Sequence, residues 1–251
     1  MHIHVGVWDI TLVLAVSVMA TALAYVHHPR WKAIILNLPI PFTLANLALG
    51  RPVGPTHVLG LSLLLLFTHG VRWLHVFGRV PIVPAIVLSA AGYCLAGGLL
   101  AAVVPDNGTV FWSIAVLTFG LGVGLHLVLP HRQEPGHRSP LPVPIKFVVI
   151  VLVISFIVAI KGWLQGFMTL FPMVGVVAAY EARHSLWTIT RQIPVLMITL
   201  VPLHATVRLL QGRLGLGPAL ACGWVVFLAV LIPLGRRMWR TAAAQDAMAA
   251  P

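Results

Sequence analysis

Apolar segments close to the length of a membrane-crossing helix follow one another along almost the whole chain, separated by short connections rich in Pro, Gly and charge. An α-helix rises ~1.5 Å per residue, so about 20 residues cross the ~30 Å hydrocarbon core of a bilayer. Inside that core every backbone N–H and C=O must be satisfied within the structure, which leaves helices and closed barrels. A barrel needs ~10-residue segments of strict alternation, and the runs here do not alternate. Only 8% of the 251 residues are charged and the mean hydropathy is +0.99, against ~25% charged in a soluble domain. The sequence therefore predicts an all-α polytopic membrane protein. The net charge of +11 would point to nucleic acid in a soluble chain. Here the basic residues sit in connections between spans, so no nucleic-acid partner is expected.

Nine spans are expected, over residues 7–26, 32–50, 57–78, 80–104, 109–130, 143–160, 164–182, 186–210 and 216–236. The longest connection, His131 to Pro142, divides the chain nearly in half. Of the sixteen Lys and Arg residues, Arg191 falls within a span and Arg51, Lys161, Arg208 and Arg213 fall on one side. All the others fall on the opposite side. The positive-inside rule then predicts an external N-terminus and a cytoplasmic C-terminus in the plasma (inner) membrane. Residues 1–8 lack Lys and Arg, unlike the basic start of a signal peptide, so the first span is expected to be retained.

The two halves resemble each other. Gly78-Arg79 with Pro84-Ala85 matches Gly212-Arg213 with Pro218-Ala219, Thr56-His57 matches Thr190-Arg191, and His69 matches His204. This predicts a duplication: residues 1–106 as repeat one, 107–142 as a linker helix and central cytoplasmic loop, 143–240 as repeat two, and 241–251 as a short C-terminal tail. Four spans return the chain to its starting side and the fifth flips it, so the second repeat enters upside down. Inverted repeats with Gly/Pro-interrupted helices near the midplane are the architecture of many secondary transporters. Pro39 and Pro41 in the second span, and Pro172 in the seventh, have the required character. Proline removes an N–H and frees a carbonyl in the preceding turn, and in hydrocarbon that carbonyl must find a partner.

Ionisable groups at membrane depth are rare and suggest function. The expected substrate contacts are Pro39, Pro41, Thr43, Asn46, Thr68, His69, Pro172, Thr190, Arg191 and Gln192. Glu181, His69 and His204 are the expected proton-coupling groups. Cys94 and Cys222 fall within spans as small apolar residues. No Gly-Lys-Ser/Thr phosphate loop, Gly-x-Ser-x-Gly elbow or His-Glu-x-x-His zinc motif is present. No metal or cofactor is therefore expected, and an enzyme is less expected than a transporter. The leading expectation is alternating-access transport of a small anionic or polar solute, coupled to protons. The rival readings are a flippase or membrane-embedded transferase acting on an anionic lipid headgroup, and a non-catalytic membrane subunit. A homo-oligomer is compatible with each.

Overall fold

The computed structural model describes residues 6–25, 37–130, 134 and 142–249. It is 86% helix, and the described residues contain no strand. Helices α1 (Val7–Tyr25), α2 (Ile40–Leu49), α3 (Pro55–Arg72), α4 (Ile82–Val103) and α5 (Gly108–Val128) come from the first half. A π-helical turn, Trp73–Phe77, extends α3. The second half forms α6 (Val143–Ala159), α7 (Lys161–Leu164), a 3-10 segment (Gln165–Leu170), α8 (Met173–Glu181), α9 (Leu186–Leu214) and α10 (Leu216–Ala249).

Five described helices, α3, α4, α5, α9 and α10, are long and apolar enough to cross a membrane. The number rises to six if α6 and the stretch Lys161–Leu170, bent 61° from it, count as one span. Parts of the second expected span and of the central connection lie outside the described residues. Large apolar side chains face outward on several helices, among them Leu95 and Leu99 on α4, Leu117 on α5 and Leu152 on α6. A continuous apolar exterior is not a water-facing surface. It is the lipid-facing side of a membrane-embedded protein.

The centre belongs to α3 and α9. Half of the apolar window of α3 and 61% of that of α9 are buried, against 22% for α4, α5 and α10. Contacts at the helix ends give their directions. Arg72 at the end of α3 lies over the ring of Trp187 at the start of α9, 4.6 Å from its centroid. Arg208, late in α9, donates to the Val53 carbonyl just before α3 (3.0 Å). The two central helices therefore run antiparallel. Helix α5 packs against both. Asp106 at its start pairs with Arg208 (3.3 Å), and Pro130 beyond its end accepts from the Trp187 indole (3.1 Å). It runs with α3 and against α9. Close approach of α5 to α9 depends on Gly122, where a Cβ would fall 2.7 Å from that of Met197.

Helix α1 buries Leu12, Val16 and Ala20, the i, i+4, i+8 stripe of a helix with one packed face. Its start is fixed by Asp9, which is 2% exposed and receives Lys161 Nζ on both carboxylate oxygens (2.7 and 2.6 Å). The same ammonium reaches the Ala48 carbonyl near the end of α2 (3.4 Å). One ion pair thus ties the start of α1, the end of α2 and the bend after α6, and sets α1 antiparallel to both partners.

Removing Lys161 leaves a buried carboxylate without its cation, which in buried pairs costs about 3–5 kcal/mol. Since Lys161 itself is about a quarter exposed, we predict a loss near 3 kcal/mol for Lys161→Met, read as a lowered unfolding midpoint in detergent. The double variant Asp9→Asn/Lys161→Met should recover part of that loss. An unchanged midpoint in the single variant would show that the pair does not anchor these elements.

Candidate functional site

Two short helices begin at prolines and face one cavity. Helix α2 starts after Pro39 (φ −80, ψ 34) and α8 after Pro172 (φ −72, ψ 54). A residue before proline avoids the α region, and Phe171 is extended accordingly (φ −54, ψ 134). Proline itself fixes φ near the helical value and lacks an N–H that a helix start leaves unbonded anyway. Each helix therefore begins with the proline carbonyl as its first acceptor. Thr43 N–H donates to Pro39 O (2.9 Å), and Val176 N–H donates to Pro172 O (2.8 Å).

The cavity between them has a volume of about 110 Å³. Pro39, Pro41 and Phe42 come to it from α2, and Pro172, Val174 and Gly175 from the other proline start. Helix α2 leads away from the cavity toward Gly50, a left-handed C-cap (φ 64) whose N–H closes on Asn46 O (2.9 Å). That end adjoins Lys161 and Asp9, at the same face as the starts of α1, α3 and α5. Helix α8 leads away toward Glu181 and the start of α9, at the opposite face. Their ten and nine residues correspond to about 15 Å and about 14 Å of rise. The cavity accordingly lies about midway between the two faces.

Its polar groups are neutral. Asn37, Thr68, Thr169 and Gln192 line it. Asn37 Nδ2 donates to Gln192 Oε1 (3.1 Å), while Asn37 Oδ1 is buried without a partner. Thr68 donates its hydroxyl to Leu65 O (2.9 Å) and Thr169 to Gly166 O (2.7 Å). Both hydroxyl oxygens keep lone pairs for other contacts. The two helix starts add backbone N–H groups without intrahelical acceptors and a partial positive potential.

The 3-10 segment supplies one wall. It opens at Gln165, whose φ of 47 and ψ of −130 form a conformation that a residue with a Cβ rarely adopts. Gly166 follows, packed so closely on Thr56 and His57 that a side chain there would collide with both. The Tyr93 hydroxyl holds the segment by donating to Phe167 O (2.8 Å).

Of the residues singled out from sequence, Pro39, Pro41, Thr68, Pro172 and Gln192 line the cavity. The others lie away from its lining. Thr43 donates to Pro39 O (2.7 Å) and accepts from the Trp224 indole (2.8 Å). Asn46 is fully buried and donates to Phe42 O (2.8 Å). Half-buried His69 bonds through Nδ1 to Leu65 O (3.0 Å). Buried His204 does the same with Leu200 O (2.6 Å) and packs its ring 4.5 Å from that of Phe42. Thr190 donates to Leu186 O (2.9 Å). Arg191 is half-buried, Glu181 is buried at the last turn of α8, and both are engaged in polar or electrostatic contacts. The lining also takes Asn37, Phe42 and Thr169, each within three residues of a break proline. Among the described residues, no group of three or more His, Cys, Asp or Glu could hold a metal ion. Comparison with known protein families, curated proteins and solved structures finds no match.

Overpacking a filled site costs about 1–3 kcal/mol. Gly166→Ala is therefore predicted to lower the unfolding midpoint clearly. Gly162→Ala, where a Cβ meets nothing within 4 Å, should stay near the parent. Thermal unfolding in the same detergent compares the two, and equal midpoints would mean that the 3-10 wall is not held at Gly166.

Proposed function

We propose that this chain is a secondary membrane transporter that moves a small anionic or polar solute by alternating access. In this reading nine spans form two inverted four-helix repeats around a linker helix, with the N-terminus outside and the C-terminus in the cytoplasm. The observation that carries it is the meeting of two proline-started helices, one from each half, N-terminus to N-terminus at one cavity. Discontinuous helices whose half-helix N-termini face a midplane site are a recurring device of secondary transporters. The combined rise of α2 and α8, about 29 Å, matches the ~30 Å hydrocarbon core, which supports a midplane depth for the cavity.

Three further correspondences support the inverted repeat. Pro39 and Pro172 cap their helices with similar dihedrals and the same first hydrogen bond. His69 and His204 each bond through Nδ1 to the carbonyl four residues back. Arg72 rests on the start of α9, and Arg208 rests on the stretch before α3. The helix directions agree as well: α1, α3 and α5 run one way, and α2, α6 and α9 run the other, as strict alternation over nine spans requires.

The lining favours a compact solute with at most one charge. It offers neutral amides and hydroxyls with two helix starts, while Arg191, His69 and Glu181 lie outside it. Asn37 and Gln192 can exchange donor and acceptor roles by turning both amides, so the pair can present either an N–H or a carbonyl to the solute. Glu181 and His69 are the groups this reading gives the coupling proton.

Purified protein in liposomes should accumulate a small monovalent anion, screened from inorganic and short carboxylate candidates, under an imposed pH gradient. A hydrogen bond to a charged group is worth ~1.5–3 kcal/mol, so Gln192→Leu should reduce uptake at least about tenfold. Glu181→Gln should remove the response to the gradient. Uptake that is absent for every candidate, or unchanged in Gln192→Leu, would reject the reading.

A further inference from the structure

Outside the lining of the cavity, α2, α3 and α9 each carry a buried polar atom without a partner in the chain: Asn46 Oδ1, His57 Nε2 and His204 Nε2. The residues are 0%, 3% and 0% exposed. Arg208, one turn beyond His204 on α9, donates to Val53 O (3.0 Å), four residues before His57. Asn46 stands one turn after Phe42 on the same face of α2, and the Phe42 ring lies against His204.

The remaining hydrogen bonds fix what each free atom offers. Gly54 N–H donates to His57 Nδ1 (3.1 Å), so in the neutral ring the proton is on Nε2 and that atom is a donor. Leu200 O can only accept, so His204 carries its proton on Nδ1 (2.6 Å) and its Nε2 is an acceptor. Asn46 uses Nδ2 on Phe42 O (2.8 Å), which leaves Oδ1 as an acceptor. The three residues together present one donor and two acceptors. A buried polar group left unpaired is destabilising, and the complement of this set is one acceptor and two donors.

We propose that Asn46, His57 and His204 form a buried one-water site joining α2 to α3 and α9. The water accepts from His57 Nε2–H and donates to His204 Nε2 and Asn46 Oδ1, the about three hydrogen bonds typical of an internal water. Neither transport nor a pH change is needed for this site, which stands independently of the proposed function. It gives His204 a hydrogen-bonding role as a neutral ring in place of proton carriage. Because Asn46 is on α2 and His204 on α9, with Phe42 packed between the cavity lining and the imidazole, a shift of α2 against α9 would break the site.

Magic-angle-spinning NMR of the unmodified protein in bilayers, with ¹⁵N-labelled histidine assigned by sequential backbone correlations, tests this directly. The expected result is an Nε2–H tautomer at His57, an Nδ1–H tautomer at His204, and water-to-proton magnetisation transfer at His57 Nε2–H. The opposite tautomer at either ring, or no transfer from water at His57, overturns the proposal. A thermal cycle adds an energetic readout. Asn46→Leu and His57→Phe should each lower the melting temperature by several degrees, and the double variant by several degrees less than their sum. Strict additivity would show that the residues share no ligand and would also overturn it.

Discussion

A helix interrupted inside hydrocarbon leaves backbone N–H and C=O groups that water cannot reach, and this constraint organises the centre of the molecule. The prolines at 39, 41 and 172 make the interruptions, and the structure brings their loose ends to one place. Thr43 adds its hydroxyl to the Pro39 carbonyl, which already accepts the Thr43 N–H. The first turns of α2 and α8 line a cavity whose polar side chains are amides and hydroxyls. Two separate breaks would each require a polar niche of their own, whereas here they share one. The antiparallel pair α3 and α9 frames that niche, and the strained entry at Gln165 lets the 3-10 segment close it.

Formal charge is kept at the ends of the helices. Asp9 pairs with Lys161, Asp106 pairs with Arg208, and Glu134 accepts from the first N–H groups of α9 at Trp187 (3.3 Å) and Thr188 (2.8 Å). The first two pairs lie at the face where the sequence puts few basic residues. They neutralise Lys161 and Arg208 there. At the cavity the polar groups are neutral, so the desolvation cost of a buried charge is not incurred in the solute-free protein. The helix starts supply a positive potential there without an ionised side chain.

Span positions were legible because length and hydropathy report them directly. The expected segments 80–104 and 109–130 correspond closely to α4 and α5. The proline breaks were legible for the same reason, since proline acts locally. The end of the expected segment 143–160 coincides with the bend after Ala159, but the contact that holds the bend, from Lys161 to Asp9 more than a hundred residues away, was not legible. Helix rotation was also beyond reach. Thr190-Arg191-Gln192 lies on one strongly polar turn, and successive residues differ by ~100° around the axis. Only the packed structure shows that Gln192 faces the cavity while Arg191 does not. The sequence marks Thr190, Arg191 and Gln192 alike as candidate contacts and does not separate them.

That rotation also links the two polar sites. Gln192, Leu196 and Leu200 line the cavity, and His204 continues the same i, i+4 stripe of α9. Leu200 takes part in both, with its side chain at the cavity and its carbonyl on His204 Nδ1. On the facing helix Phe42 is likewise shared, lining the cavity and packing against the imidazole. The cavity and His204 therefore adjoin along one helix interface, with Phe42 in contact with both. A displacement of α2 large enough to open the cavity would also move Phe42 off His204 and carry Asn46 with it. The water-bridged contacts proposed for Asn46, His57 and His204 thus oppose opening of the cavity without reaching into it.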